Sequence, residues 1–166
     1  YTLSLHDALP IYEFGGGLAM FLGLSVHNLD DKGRITLPNK DRGAFTDSIV
    51  FATIGFDGNI ELYPQDAYMK MAEQYEQLSD FDANNRQLKR IFFSQSNQIE
   101  IDSHGRIQLS KPLLNKAGIS KSVTFVGRMT HIELWDTDKF NELEKKGEDD
   151  YSCLAQNALK QVPQNK

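Results

Sequence analysis

Cysteine is almost absent. Cys153 stands alone among 166 residues, which excludes an intramolecular disulfide framework and suits a reducing cytosol. No apolar run approaches the roughly 20 residues that a helix needs to cross a bilayer, so no membrane partner is expected. Nor is there an excess of positive charge. Eighteen Lys and Arg face 23 Asp and Glu, a formal net charge of −5, so any contact with nucleic acid has to be local and concentrated. Catalytic patterns are missing too. There is no Ser-His-Asp arrangement, phosphate loop or metal motif, and His27, His104 and His131 have no cysteine or carboxylate at ligand spacing. We therefore expect no catalytic residues, no metal, no cofactor and no enzymatic activity.

What the chain does have is a repetition. Asp30-Asp31-Lys32-Gly33-Arg34 is answered 72 positions later by Asp102-Ser103-His104-Gly105-Arg106. Ile35 and Leu37 return as Ile107 and Leu109, and Ile60-Glu61-Leu62-Tyr63 returns as Ile132-Glu133-Leu134-Trp135 at the same spacing. A register kept at both ends of a unit implies two copies of one module, each carrying an Asp-x-x-Gly-Arg turn. Each copy spans little more than 40 residues, near the lower limit for an independent core, so the two are expected to share one.

Local patterns fill in the elements. Gly33 and Gly105 permit a positive φ in the turns, and Arg34-Ile35-Thr36-Leu37 alternates as a half-buried strand does. Pro38 opens a short helical turn carrying Lys40 and Arg42. Ile49–Thr53 reads as a strand, and Asp57-Gly58 as a hairpin turn before the return strand at Ile60. In the second copy, Val50 is matched to Thr124 and the hairpin loop is read as two residues shorter. Pro64 opens a helix with an apolar stripe at Tyr68, Met71, Ala72, Tyr75 and Leu78, and a second helix carries Leu88, Ile91 and Phe92. A C-terminal helix bears the stripe Tyr151, Leu154, Ala155, Ala158, Leu159 and Val162, which is expected to pack on the body or on a neighbouring subunit. Cys153, on the same helix, is expected to be a buried thiol.

These readings divide the chain into five parts. Residues 1–19 resemble a translated adapter read-through and are expected to be a non-native leader without fixed structure, with Met20-Phe21 as the natural start. Without Asp7 and Glu13, 18 basic side chains face 21 acidic ones. The first module spans 24–66, linking helices 67–94, the second module 95–138 and a helical tail 139–166.

The turn chemistry allows a contact with DNA, and equally an ion pair that only closes the turn. A planar Arg fork matches the O6 and N7 acceptors of guanine, and an Asp four residues earlier can orient it. Lys32, Arg34, Lys40, Arg42 and Arg106 are the candidate DNA-binding residues, with Asp30, Gly33, Asp102 and Gly105 stabilising the turns. Lys40 and Arg42 suit phosphate anchoring, and Lys111 and Lys116 are read as the corresponding charges of the second copy. Arg106 is the weaker candidate, because Ser103-His104 replaces Asp31-Lys32. Arg86, Lys89 and Arg90 read as a solvated helix face.

The paired turns, the Gly-Arg-Ile tripeptides and Phe92-Phe93-Ser94 before the second copy resemble the MraZ family of bacterial transcriptional regulators. The resemblance covers Met20 to about Leu159, with Asp41 standing where the family commonly has an aromatic residue. It implies an α+β fold with two tandem swapped-hairpin AbrB/SpoVT-like β modules forming a pseudo-dimer, with flanking helices. It implies ring-shaped homo-oligomers, binding to double-stranded promoter DNA at tandem repeats of the division and cell-wall gene cluster, and a cytoplasmic, nucleoid-associated location. The alternative from the residues is a protein-interaction or assembly module whose Asp-Arg turns are purely structural.

Overall fold

The computed structural model describes residues 20–161. The expected leader over 1–19 lies outside these residues, as does Val162 of the C-terminal stripe. The chain is α+β, with a mainly antiparallel six-stranded sheet, a two-stranded ribbon and five α-helices among the described residues. In order they are β1 (Leu24–Asn28), β2 (Arg34–Thr36), α1 (Asn39–Arg42), β3 (Ile49–Ile54), β4 (Ile60–Tyr63), α2 (Gln65–Glu76) and α3 (Ala83–Gln95). The rest are β5 (Asn97–Glu100), β6 (Arg106–Gln108), α4 (Lys111–Ala117), β7 (Ser122–Gly127), β8 (Ile132–Asp136) and α5 (Thr137–Leu159).

The repeats are interleaved. The six-stranded sheet runs β1-β7-β8-β4-β3-β5, so the first strand of each repeat pairs with the hairpin of the other. The order reads the same from both ends once each strand is exchanged for its counterpart. At the middle, β4 and β8 pair about Glu61 opposite Glu133, 72 residues apart. The ribbon is centred in the same way on Ile35 opposite Ile107. An approximate two-fold axis therefore passes through both pairs.

Side-chain alternation sorts the sheet faces. Val50, Ala52, Ile60, Leu62, Val123, Phe125, Ile132 and Leu134 join Ile35, Leu37, Ile107 and Leu109 in one buried cluster between ribbon and sheet. Helix α4 of the second repeat packs against β3 and β4 of the first. On the other side of the sheet, α2 and α3 cover Phe51 and Tyr63 through Tyr68, Ala72 and Phe92. The ring of Tyr75 stacks on Phe92 at 4.0 Å, and that of Phe51 on Tyr68 at 4.7 Å.

Several expectations need correction. Pairing places Ile54 opposite Ile60 and Gly127 opposite Ile132, so the second hairpin loop is one residue shorter, not two. Val50 accordingly matches Val123, which shares its core face, whereas Thr124 points to the opposite side. Cys153 is exposed rather than buried, because among the described residues no layer lies over the distal half of α5. For the same reason Tyr151, Leu154 and Leu159 remain open, and their stripe does not pack on the body. Arg86 and Lys89 are occupied: they donate to the Asp80 and Glu76 carbonyls and the Asp80 carboxylate, tying α3 to the end of α2 and to the loop between them.

Candidate nucleic-acid interface

Each turn is built around its aspartate. Asp30 Oδ1 accepts from the backbone N–H of Lys32 at 2.9 Å and of Arg34 at 2.8 Å, while Oδ2 accepts from Arg34 Nε at 2.7 Å. Asp102 repeats the set with His104 and Arg106, both at 2.9 Å, and Arg106 Nε at 2.8 Å. The Arg34 amide, helped by its guanidinium, lowers the Asp30 pKa below the ordinary carboxylate value. The Arg106 amide likewise leads in pushing Asp102 down to about 2. Both ion pairs are partly exposed and contribute little stability. Their effect is orientation: with Nε held, the Nη groups of both arginines carry no hydrogen bond within the described residues.

The glycines are required by the same geometry. Gly33 and Gly105 sit at φ 76° and 73°, where a side chain is strained. A Cβ on Gly33 would lie 2.9 Å from the Leu109 carbonyl oxygen, and one on Gly105 would collide with the Arg42 guanidinium. Each turn thus packs on the other repeat, fastened by Leu109 N–H donating to Gly33 O and Leu37 N–H to Gly105 O, both at 2.9 Å.

The register of the ribbon brings the two turns together. Arg34 is opposite Gln108 and Thr36 opposite Arg106, so all four side chains share one face, with buried Ile35 and Ile107 on the other. Thr36 and Gln108 are exposed between the arginines; they escaped the sequence reading, although their alternation with the two isoleucines was a signal for them. Gln108 Nε2 also donates to the Lys32 carbonyl at 3.1 Å, linking the strand to the first turn.

The remaining expected cations are placed differently. Lys40 Nζ donates to the Leu22 carbonyl at 2.9 Å, and Arg42 Nε to the Leu37 carbonyl at 3.0 Å, with the Arg42 guanidinium lying against Gly105. Arg42, from the first repeat, thus flanks the second turn. Asp41 between them is buried rather than facing solvent, and desolvation raises its pKa. Conversely, Lys111 borders the cavity beside the first turn, not the second, because strand exchange carries α4 across.

One cluster of metal-ligating types appears away from the ribbon, although none was expected. Atoms of Glu61, His131 and Glu133 lie within 4.8 Å of one another at the axis on the helix-facing side of the sheet. Each already has a partner from the chain. Tyr63 Oη donates to Glu61 at 2.8 Å, Trp135 Nε1 and Arg128 donate to Glu133, and His131 pairs with Thr130. Burial, with the Glu133 charge adding to it, raises the Glu61 pKa, and burial lowers that of His131. An arginine at 2.5 Å from Glu133 opposes a second cation there, so the arrangement acts as a satisfied polar network.

Comparison with known proteins addresses the same repeats. A family described as "MraZ protein, putative antitoxin-like" matches residues 20–91 and again 92–162. A protein of Spiroplasma kunkelii named transcriptional regulator MraZ is 41% identical over 69% of this chain and 80% of its own length. Proteins of the same name from Mycoplasmoides gallisepticum and Syntrophomonas wolfei are each 37% identical, over 80% and 84% of this chain and 100% and 97% of theirs.

Proposed function

The chain belongs to the MraZ family, and from that premise we propose that it is a transcriptional regulator that binds double-stranded promoter DNA through its paired Asp-x-x-x-Arg turns. The observation that carries this reading is the ribbon: Asp-locked Arg34 and Arg106 share one outward face with their Nη groups unengaged. A major groove admits a two-stranded β-ribbon, and a held guanidinium meets guanine O6 and N7 with less ordering cost. Lys32, Arg34 and Arg106 are the principal contacts in this reading, while Lys40 and Arg42 act from the flanks. Asp30, Gly33, Asp102 and Gly105 hold the turns.

The exchange of β1 and β5 supports assigning the two repeats, 24–66 and 95–138, to swapped-hairpin AbrB/SpoVT-like modules paired as a pseudo-dimer, with 67–94 and 139–166 as helical additions. Exposed Leu24 and Val26 on edge strand β1 and the open stripe of α5 support self-association into a closed, ring-shaped homo-oligomer. Linked copies on tandem repeats gain effective concentration, which suits control of the division and cell-wall gene cluster by an acidic protein with small basic contacts.

A gel-shift titration of Arg34→Ala against tandem-repeat promoter DNA at several salt concentrations tests the reading, with circular dichroism as the check on folding. Loss of a base-reading arginine costs about 1–3 kcal/mol per engaged copy. Arg106→Ala has the smaller effect. Unchanged affinity in a folded Arg34→Ala variant makes the turns structural and leaves the assembly-module reading in their place.

A further inference from the structure

We propose that the first turn grips the DNA backbone through lysines supplied by the second repeat, and that the second turn lacks this grip. The inference rests on the DNA-binding reading and adds a phosphate site to it. Beside the first turn lies an open cavity of about 360 Å³ whose wall includes Lys32 and Gly33 from the first repeat and Lys111, Leu114 and Lys121 from the second. The three lysines are exposed, and their ammonium groups have no ion pair or hydrogen bond among the described residues. With Arg34 they place four cations against Asp30 and Asp31, and the Asp30 carboxylate is already bound to Arg34.

The two-fold axis supplies an internal comparison. Lys32 corresponds to His104 and Lys111 to Asn39, each 72 residues apart. Lys121 corresponds to Ser48, since the Lys121 carbonyl accepts from Leu29 N–H and the Ser48 carbonyl from Ile101 N–H, both at 2.8 Å. All three lysines are therefore missing at the equivalent site, where Arg42 is drawn against Gly105 instead. Lysine ammoniums ringing an open, half-polar groove suit a phosphodiester run rather than a base edge, because a point charge carries no directional code. Arg34 then reads while Lys32, Lys111 and Lys121 hold the register. DNA engages each protomer unequally.

The test uses the full chain and two fluorescent duplexes, the tandem-repeat promoter and a scrambled sequence, with anisotropy titrations between about 50 and 200 mM salt. Lys111→Ala/Lys121→Ala is expected to weaken both duplexes alike, by roughly one decade per lost contact at about 0.1 M salt, and to flatten the log–log salt slope by about 1.8 per engaged protomer. Lys111→Arg/Lys121→Arg keeps the binding, and Arg90→Ala on distant α3 changes neither affinity nor slope. Circular dichroism and Trp135 fluorescence report that each variant is folded. A folded Lys111→Ala/Lys121→Ala variant with wild-type affinity and slope, while Arg34→Ala still loses binding, overturns the cross-repeat grip and leaves the DNA reading standing. If Arg34→Ala is silent as well, the turn reading itself falls. An equal loss from Arg90→Ala also overturns the site, because the effect then follows net charge and not location.

Discussion

Truncating Ile35 to alanine tests whether the two repeats are one folding unit. Ile35 is 1% exposed and faces Ile107 across the axis of the ribbon. The change deletes three buried carbons, worth about 2.4 kcal/mol at about 0.8 kcal/mol each. The cavity left between ribbon and sheet raises the cost to about 3–4 kcal/mol, inside the range for such truncations. For a urea slope near 2 kcal/mol/M, the midpoint moves down by about 1.5–2 M.

The single tryptophan makes the experiment discriminating. Trp135 lies on β8, in the second repeat, buried at 8% exposure. A mutation in the first repeat therefore reads out in the second. If the repeats share one core, Ile35→Ala shifts the Trp135 fluorescence transition and the far-UV dichroism transition together, at fixed protein concentration. Ile107→Ala has the same effect, and the double variant departs from additivity by about 0.5–3 kcal/mol because the two side chains share one contact. An unmoved Trp135 transition, or two dichroism transitions of which only one shifts, would refute a shared core.

Two further outcomes are expected. Because burial raises the Glu61 pKa in the folded chain, its charged form opposes folding; that penalty sets in as pH rises above the unfolded pKa, is complete above the folded pKa, and is absent only below the unfolded one. Glu61→Gln, which retains an acceptor for Tyr63, is therefore expected to be more stable than wild type at pH 7 and to flatten the stability profile on the acid side; a lower urea midpoint at pH 7 would contradict this. For assembly, sedimentation at micromolar concentration is expected to show a closed oligomer, and Leu24→Lys/Val26→Lys to shift it toward smaller species. Only the 18.8 kDa monomer in wild type would count against self-association.

Local chemistry was the legible part of the sequence. Asp30, Gly33 and Arg34 interact within five residues, so the turn can be read from the string that forms it, and its repetition at 72 fixes a second copy. Strand pairing is not local. The alternation of Arg34-Ile35-Thr36 is satisfied whether β2 pairs within its repeat or with β6, and nothing in the period alone decides between them. From the sequence alone Lys111 therefore belongs beside the second turn, whereas exchange carries it to the first. The Val50–Thr124 match failed for a related reason: Thr53 and Thr124 are buried on the helix-facing side of the sheet, so β-branched residues occupy both faces and blur the parity. Cys153 misled because an apolar stripe states that a partner surface is needed without stating that the same chain provides it.

The interleaving also explains where the two repeats differ. Ile35 with Ile107, Leu37 with Leu109, Ile60 with Ile132 and Leu62 with Leu134 are the same residue in both copies, and all eight lie in one shared cluster. A change in size at any of them is felt by both repeats at once, since the counterpart packs in the same core. Lys32 and His104, Asn39 and Lys111, and Ser48 and Lys121 are exposed, where substitutions usually stay within about 0.5 kcal/mol. Divergence is therefore inexpensive at these exposed positions around the turns and costly at those that hold the fold. An approximate two-fold scaffold can in this way carry two unequal turns, with the lysines of both repeats gathered around one of them.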